Sequence, residues 1–206
     1  MRSKSFMITA VIGLLFGGAV AGCSHAPKVT RTDVGKPIDL SGRWNDTDSR
    51  MVAEEMIKDC LGRPWYDQFD EKNHRTPVVI VGTINNRSYE HIDSETFIKN
   101  LEMNLLNSNK VTFVASKTER GEVREERDDQ NTSGNTDPET IKAKGKETGA
   151  DFMLQGSIHS IKDEIKGKYA ILYQVNLELV DLTTNRKVWI GEKQIKKLVE
   201  RSQYAL

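Results

Sequence analysis

The apolar positions of this chain repeat with two periods, and these periods predict where the first helices and strands lie. Helical spacing predicts a helix over about residues 48–61 and another over about 94–107. Between them, the β-branched run 78–84 is unbroken, which is typical of a strand buried on both faces. A shorter strand is predicted over 111–115. The apolar stripe of the first helix consists of Met51, Val52, Met56 and Cys60.

The second half of the chain alternates polar and apolar residues. We expect a charged helix over 117–129 and a further helix that begins at Asp137-Pro138 and ends at Gly149, because Asp and Pro favour a helix start. Three strands follow, over about 151–161, 169–181 and 187–195. In the second of these strands one face is apolar and the other is polar, so the polar face should be wet or only lightly covered. The apolar face comprises Ile171, Tyr173, Val175, Leu177 and Leu179.

Together these elements predict an α/β (α+β) fold, a mixed β-sheet flanked by helices. The order strand, helix, strand in the first half indicates two parallel strands joined by a right-handed crossover. The short connections between the last three strands indicate an antiparallel meander.

The N-terminus has the pattern of a bacterial lipoprotein signal. Arg2 and Lys4 precede a short apolar run, which is too short for a spanning helix, and Val20-Ala21-Gly22-Cys23 matches the lipobox. We expect Cys23 to carry the lipid, including palmitate-like acyl chains that anchor the protein at the bilayer. Because Ser24 rather than Asp follows Cys23, the outer membrane is favoured, with the protein on its periplasmic face.

This pattern divides the chain into three parts. Residues 1–22 form a signal peptide, residues 23–36 a lipidated N-terminus and short linker, and residues 37–206 a single globular domain. Without residues 1–22, which hold two basic and no acidic residues, the formal net charge falls from zero to about −2. Such a balance does not support nucleic-acid binding.

The sequence offers little for catalysis. The acidic and amide oxygens near Asp46 do not fit a calcium loop, because Arg50 and Met51 occupy positions that need a ligand and a glycine. The four histidines are scattered, and no nucleophile motif or phosphate loop is present. We therefore expect no enzyme activity, no cofactor, no metal and no small-molecule substrate. We interpret Cys60 as a small buried hydrophobic residue, and the alternative is a catalytic or intermolecular thiol.

One loop is a candidate contact site. Residues 85–88 follow the predicted central strand, and in open α/β sheets ligands gather at that edge. A polar strand-to-helix loop is the plainer interpretation. The partner-contact hypothesis rests on Asn86, Arg87 and Tyr89.

The order and spacing of several short pieces resemble the LpoB family of outer-membrane lipoprotein activators of penicillin-binding proteins. The pieces are the lipobox, Trp44-Asn45, the run from Val78 through Asn85-Asn86-Arg87, residues 111–116 ("VTFVAS"), Gly149-Ala150-Asp151, and residues 179–191. The resemblance implies a fold similar to the N-terminal domain of TolB and no catalysis of its own. It also implies binding to a bifunctional class A penicillin-binding protein, whose peptidoglycan synthesis it stimulates.

The chain departs from that family in its linker. Enterobacterial members carry a long Pro-rich linker, whereas here residues 24–36 reach at most ~45 Å. The alternative function is that of a structural or transport lipoprotein of the envelope, with a TolB- or CsgG-like domain. Secretion-pore lipoproteins of that kind need further long amphipathic strands, and none is spare in this sequence.

Overall fold

The computed structural model of the chain describes residues 28–200. Residues from Val34 onward form one compact unit, and residues 28–33 before it belong to a separate unit and contain no helix or strand. Cys23, the lipobox and the signal peptide lie outside the described residues, as do residues 201–206.

Within residues 28–200, four helices and five strands make up the fold. They are α1 (Asp46–Leu61), α2 (Pro64–Asn73), β1 (Val78–Arg87), α3 (Ser94–Asn107), β2 (Thr112–Phe113), α4 (Lys117–Thr132), β3 (Phe152–Ile165), β4 (Lys168–Asp181) and β5 (Lys187–Glu200).

The strands form one mixed sheet in the order β2-β1-β3-β4-β5. β1 is parallel to both β2 and β3, and β3, β4 and β5 are antiparallel to one another. The predicted α+β fold, a mixed sheet flanked by helices, is confirmed. Across residues 28–200, no helix combines the length and apolar character needed to cross a membrane.

The core lies between one face of the sheet and helices α1 and α3. Along β4, the five residues of the predicted apolar face are at most 4% exposed, while the polar residues between them are partly exposed. In α1 the apolar stripe is rotated from the prediction, because Met51 is 37% exposed and Ala53 and Ile57 are buried in its place. Cys60 is buried, as expected.

The start of α1 is fixed by a capping box. The Asn45 side chain accepts a hydrogen bond from the Asp48 N–H at 3.1 Å, and the Asp48 carboxylate accepts one from the Asn45 N–H at 3.0 Å. The oxygen-rich stretch ahead of α1 therefore begins a helix, with Asn45 as its cap.

Helix α2 was not predicted, because its residues show little apolar periodicity. Its single buried residue is Trp65, which donates a hydrogen bond to the Cys60 carbonyl at 2.7 Å and packs edge-on against Phe152. Edge-on contacts of Trp65 and Phe69 with Phe152 thus hold this helix on the sheet, and no apolar stripe marks it in the sequence.

The predicted helix over 137–149 is wrong. Residues 137–140 form a turn, and residues 141–150 contain no helix. Gly145 has a φ of +73°, which is a left-handed conformation that interrupts a helix. The segment is instead held on α4 by charge, because Glu147 pairs with Arg124 at 2.7 Å and with Arg127 at 2.9 Å.

The backbones of β3 and β4 approach closely at Gly156. A Cβ at this position would lie 2.1 Å from the Asn176 carbonyl oxygen, far inside contact distance. The sheet therefore requires glycine here.

We predict that Gly156→Ala destabilises the domain by at least about 2 kcal/mol, because backbone atoms of β4 cannot yield as a side chain can. The matched control is Gly121→Ala in α4, where a Cβ would meet nothing within 4 Å. That change should stabilise the chain by about 0.5–1 kcal/mol. Urea unfolding measures both, and equal midpoints for the two variants would contradict the prediction.

Candidate functional site

Helix α1 is joined to edge strand β5 by three polar contacts. The Trp189 indole N–H donates to Asp59 at 2.9 Å, Lys193 pairs with Glu55, and Lys197 pairs with Asp48 at 2.6 Å. The three β5 residues are spaced by four, so they share the helix-facing side of the strand. These contacts fix the helix against the last strand of the sheet.

Lys197 also holds the chain that precedes α1. Its ammonium bonds Asp39 at 2.5 Å, Asp48 at 2.6 Å and the Arg43 carbonyl at 3.2 Å. We call Asp39, Asp48 and Lys197 the N-terminal clasp. The side chains of Lys197 and Asp48 are 11% and 5% exposed, and that of Asp39 is 54% exposed.

The clasp shifts the ionisation of its members. The hydrogen bond from Lys197 lowers the pKa of Asp39 below its ordinary 3.8. Burial lowers the pKa of Lys197, but its bonds to Asp39 and Asp48 outweigh burial and leave it raised above 10.5. Asp39 therefore contributes stability above pH 3.8 that is lost as the pH falls through its lowered pKa, and Lys197 contributes below pH 10.5.

A buried tyrosine ties the same segment to the loop after β1. The Tyr173 hydroxyl donates to the Glu90 carboxylate at 2.7 Å and accepts from the Trp44 N–H at 3.1 Å. Burial, followed by the bond to Glu90, raises the pKa of Tyr173, so the phenol stays a proton donor. Nearby, Tyr169 donates to the Ser41 carbonyl at 2.7 Å. Residues 39–44 are thus docked along β4 and β5.

The other face of the sheet carries an amide network. Gln174 donates to Asn176 at 3.0 Å, Asn176 donates to Glu192 at 3.2 Å, and Gln194 joins Gln174 and Glu192. Around it, the apolar residues Ile161, Ile190 and Leu198 are 62–67% exposed. Mixed polar and apolar surface on a rigid sheet is of the kind that protein partners use.

The three predicted contact residues do different things. Asn86 accepts hydrogen bonds from Ser88 and donates to the Glu90 carbonyl at 2.8 Å, so its side chain shapes the turn after β1. Arg87 is exposed and lines a groove on the solvent-facing side of the sheet. Tyr89 is 86% exposed and lines a separate hollow beside Arg43 and Tyr169. The structure therefore does not gather the three into one site.

The groove beside Arg87 contains residues that the sequence analysis missed. It has a volume of about 690 Å³ and lies between β1, β3 and the first turn of α4. Lys117 and Arg120 line it with Arg87, and we call these three residues the basic groove. Lys117 and Arg120 are three residues apart on one face of α4. That spacing is visible in the sequence, but their proximity to Arg87 is not.

The buried Cys60 has an unreactive thiol. Burial raises the pKa of the Cys60 thiol to about 12, so the reactive thiolate is disfavoured and the small-hydrophobe interpretation is supported. Within residues 28–200, no three His, Cys, Asp or Glu side chains are grouped as metal ligands.

The fold and surface define a two-sided α+β domain, with helices α1 and α3 on one face of the sheet and a polar, largely solvent-facing second face that the start of α4 borders. A family model described as peptidoglycan-synthase activator LpoB matches residues 48–195. The chain belongs to the LpoB family. No curated protein sequence matches it.

Solved structures show weaker likeness. The chain is similar to the LpoB C-terminal domain from Escherichia coli, with 16% identity, 72% of this chain and 98% of that chain covered, and a TM-score of 0.43. The NMR structure of E. coli LpoB is 13% identical, with 97% of this chain and 94% of that chain covered and a TM-score of 0.39. Lipoprotein GNA1162 from Neisseria meningitidis is 14% identical, with 63% of this chain and 88% of that chain covered and a TM-score of 0.36. Family membership rests on the family model.

We predict that Lys197→Met destabilises the domain by about 3 kcal/mol at neutral pH, because it leaves the buried Asp48 carboxylate without its counter-charge. Lys196→Met is the matched control, since Lys196 is the exposed neighbour on the opposite side of β5. Urea unfolding at pH 7 compares the two. The difference between the two variants in free energy of unfolding should become smaller below pH 3.8, because protonation of Asp39 removes its attraction to Lys197. Similar losses in both variants would contradict the role of the clasp.

Proposed function

We propose that this chain is an outer-membrane-anchored lipoprotein that binds a bifunctional class A penicillin-binding protein and stimulates its peptidoglycan synthesis. The observation that carries the proposal is the match of residues 48–195 to the peptidoglycan-synthase activator family. The protein acts by binding and has no catalytic role, no cofactor and no small-molecule substrate. Activation requires that it bind the active form of the synthase more tightly than the idle form.

The end of β1 is the proposed contact region. Arg87 and Tyr89 are exposed, and the Asn86 side chain braces the turn between them and Glu90. The Tyr89 N–H also bonds the Ser160 hydroxyl of β3 at 3.1 Å, so the turn is fixed to the sheet. A partner that contacts both residues must close around the end of β1, because they line different hollows. Aromatic and arginine side chains on a rigid support are the residues that most often dominate binding energy.

The clasp limits how far the domain can lie from its proposed anchor. Since the clasp holds Asp39, the tether comprises at most the residues between Cys23 and Asp39. They reach at most roughly 55 Å. In this proposal the contacted domain of the synthase must therefore approach the outer membrane to within that reach.

We predict that Tyr89→Ala and Arg87→Ala each weaken binding to a purified class A penicillin-binding protein by about tenfold, as expected for interface residues worth about 1–2 kcal/mol. His91→Ala, an exposed neighbour, is the control. Pull-down and titration measure affinity, and a glycan-polymerisation assay measures activation. If the unaltered lipoprotein neither binds the synthase nor changes its rate, the proposed function is wrong. If binding persists but the variants match His91→Ala, only the contact region is wrong.

We predict that Cys23→Ser abolishes incorporation of an alkyne-labelled palmitate and releases the protein from the membrane fraction. The reason is that the thiol is the acceptor of the lipid in the lipobox. Cys60→Ala provides the control. Because Cys60 is buried in the core, this substitution should leave palmitate labelling intact. Labelling that survives Cys23→Ser would show that the anchor is attached elsewhere.

A further inference from the structure

We propose that the basic groove formed by Arg87, Lys117 and Arg120 binds an extended acidic peptide segment through its carboxylates. This inference concerns the chemistry of the ligand and stands independently of the proposed synthase partner.

The groove carries positive charge that its own surroundings do not neutralise. None of the three cations forms an ion pair within the part of the chain that the structure describes. Glu178 is the acidic residue in the lining, and its carboxylate is already paired with Lys187 at 2.7 Å. The remaining titratable group, His159, shares a hydrogen bond with Ser157 at 2.9 Å.

Arg120 shows the imbalance most directly. Its Nε is buried and has no hydrogen-bond partner among the described residues. A buried donor without a partner is unfavourable, and more so when the group is charged. Few native side chains carry that cost without a reason. The part of the Arg120 guanidinium that lines the groove can bind a carboxylate, because the guanidinium fork matches a carboxylate in two parallel bonds.

The polar lining of the groove favours a peptide over a phosphate group. The Gln155 amide offers both donors and an acceptor, which suit a peptide backbone, whereas a phosphate needs donors alone. Glu178 would also repel a densely charged phosphate more strongly than a carboxylate placed at the α4 end.

Fluorescence anisotropy with the full chain and a labelled hexaglutamate peptide tests the proposal. We expect Lys117→Gln and Arg120→Gln each to weaken binding at least about tenfold and to reduce its salt dependence, since each removes one screened charge contact. Lys58→Gln and Lys166→Gln lower the net charge equally at exposed sites outside the groove, and they should change affinity less than twofold. Hexaglutamine should not bind.

Further measurements separate the alternatives. Inorganic phosphate and phosphatidylglycerol vesicles, added as competitors, should displace the peptide only weakly. Strong displacement by either, or binding of either that is lost in Arg120→Gln while peptide binding is not, would overturn the assignment to a peptide. Equal losses of peptide affinity in the groove variants and the control variants would show that the basic groove is not the binding site. Urea unfolding of each variant confirms that affinity, and not folding, has changed. Synthase binding is scored separately, so failure here leaves the proposed function untouched.

Discussion

The strict alternation of β4, at the centre of the antiparallel half of the sheet, is the constraint on which the rest of the structure depends. This strand pairs with β3 on one side and β5 on the other over nearly its whole length. Because side chains alternate between faces, a slip of one residue would move its apolar set into solvent and its amides into the core. Register therefore decides which face of the sheet receives the helices and which remains open. The glycine at 156 reinforces this register, since a Cβ at this position would clash with the Asn176 carbonyl of β4.

Different interactions stabilise the two faces of the sheet. On the helix side, apolar burial is supplemented by contacts from β5 to α1, and these contacts include a buried charge pair whose members depend on each other. On the open side, polar residues bond mainly to one another within the sheet. Such residues can exchange water for a partner at modest cost, because they are already partly solvated. The surface available for binding is therefore the one that contributes less to folding.

The sequence predicts elements well where a single period persists, as in α1, α3 and β4, and the βαβ order follows from these elements. It predicts poorly where a few contacts decide the outcome. Helix α2 depends on the contacts of Trp65 and Phe69 with Phe152, and the segment after α4 depends on ion pairs to Glu147, which leave no periodic pattern. The same holds for the site: Arg87 could be selected as an exposed loop residue, but its neighbours Lys117 and Arg120 lie thirty residues or so further along the chain, and only the fold brings them together.

The clasp also determines how the domain responds to mechanical load. A pull on the chain ahead of Asp39 acts on the Asp39–Lys197 contact and on the bonds that Tyr169 and Tyr173 make to residues 41–44. These attachments lie one after another along the chain, so a pulling force would break them one at a time rather than all together. Each step releases slack before tension reaches α1 and the sheet. A pull on this side of the domain is therefore taken up by the N-terminal clasp and its neighbours, while the open face of the sheet keeps its shape.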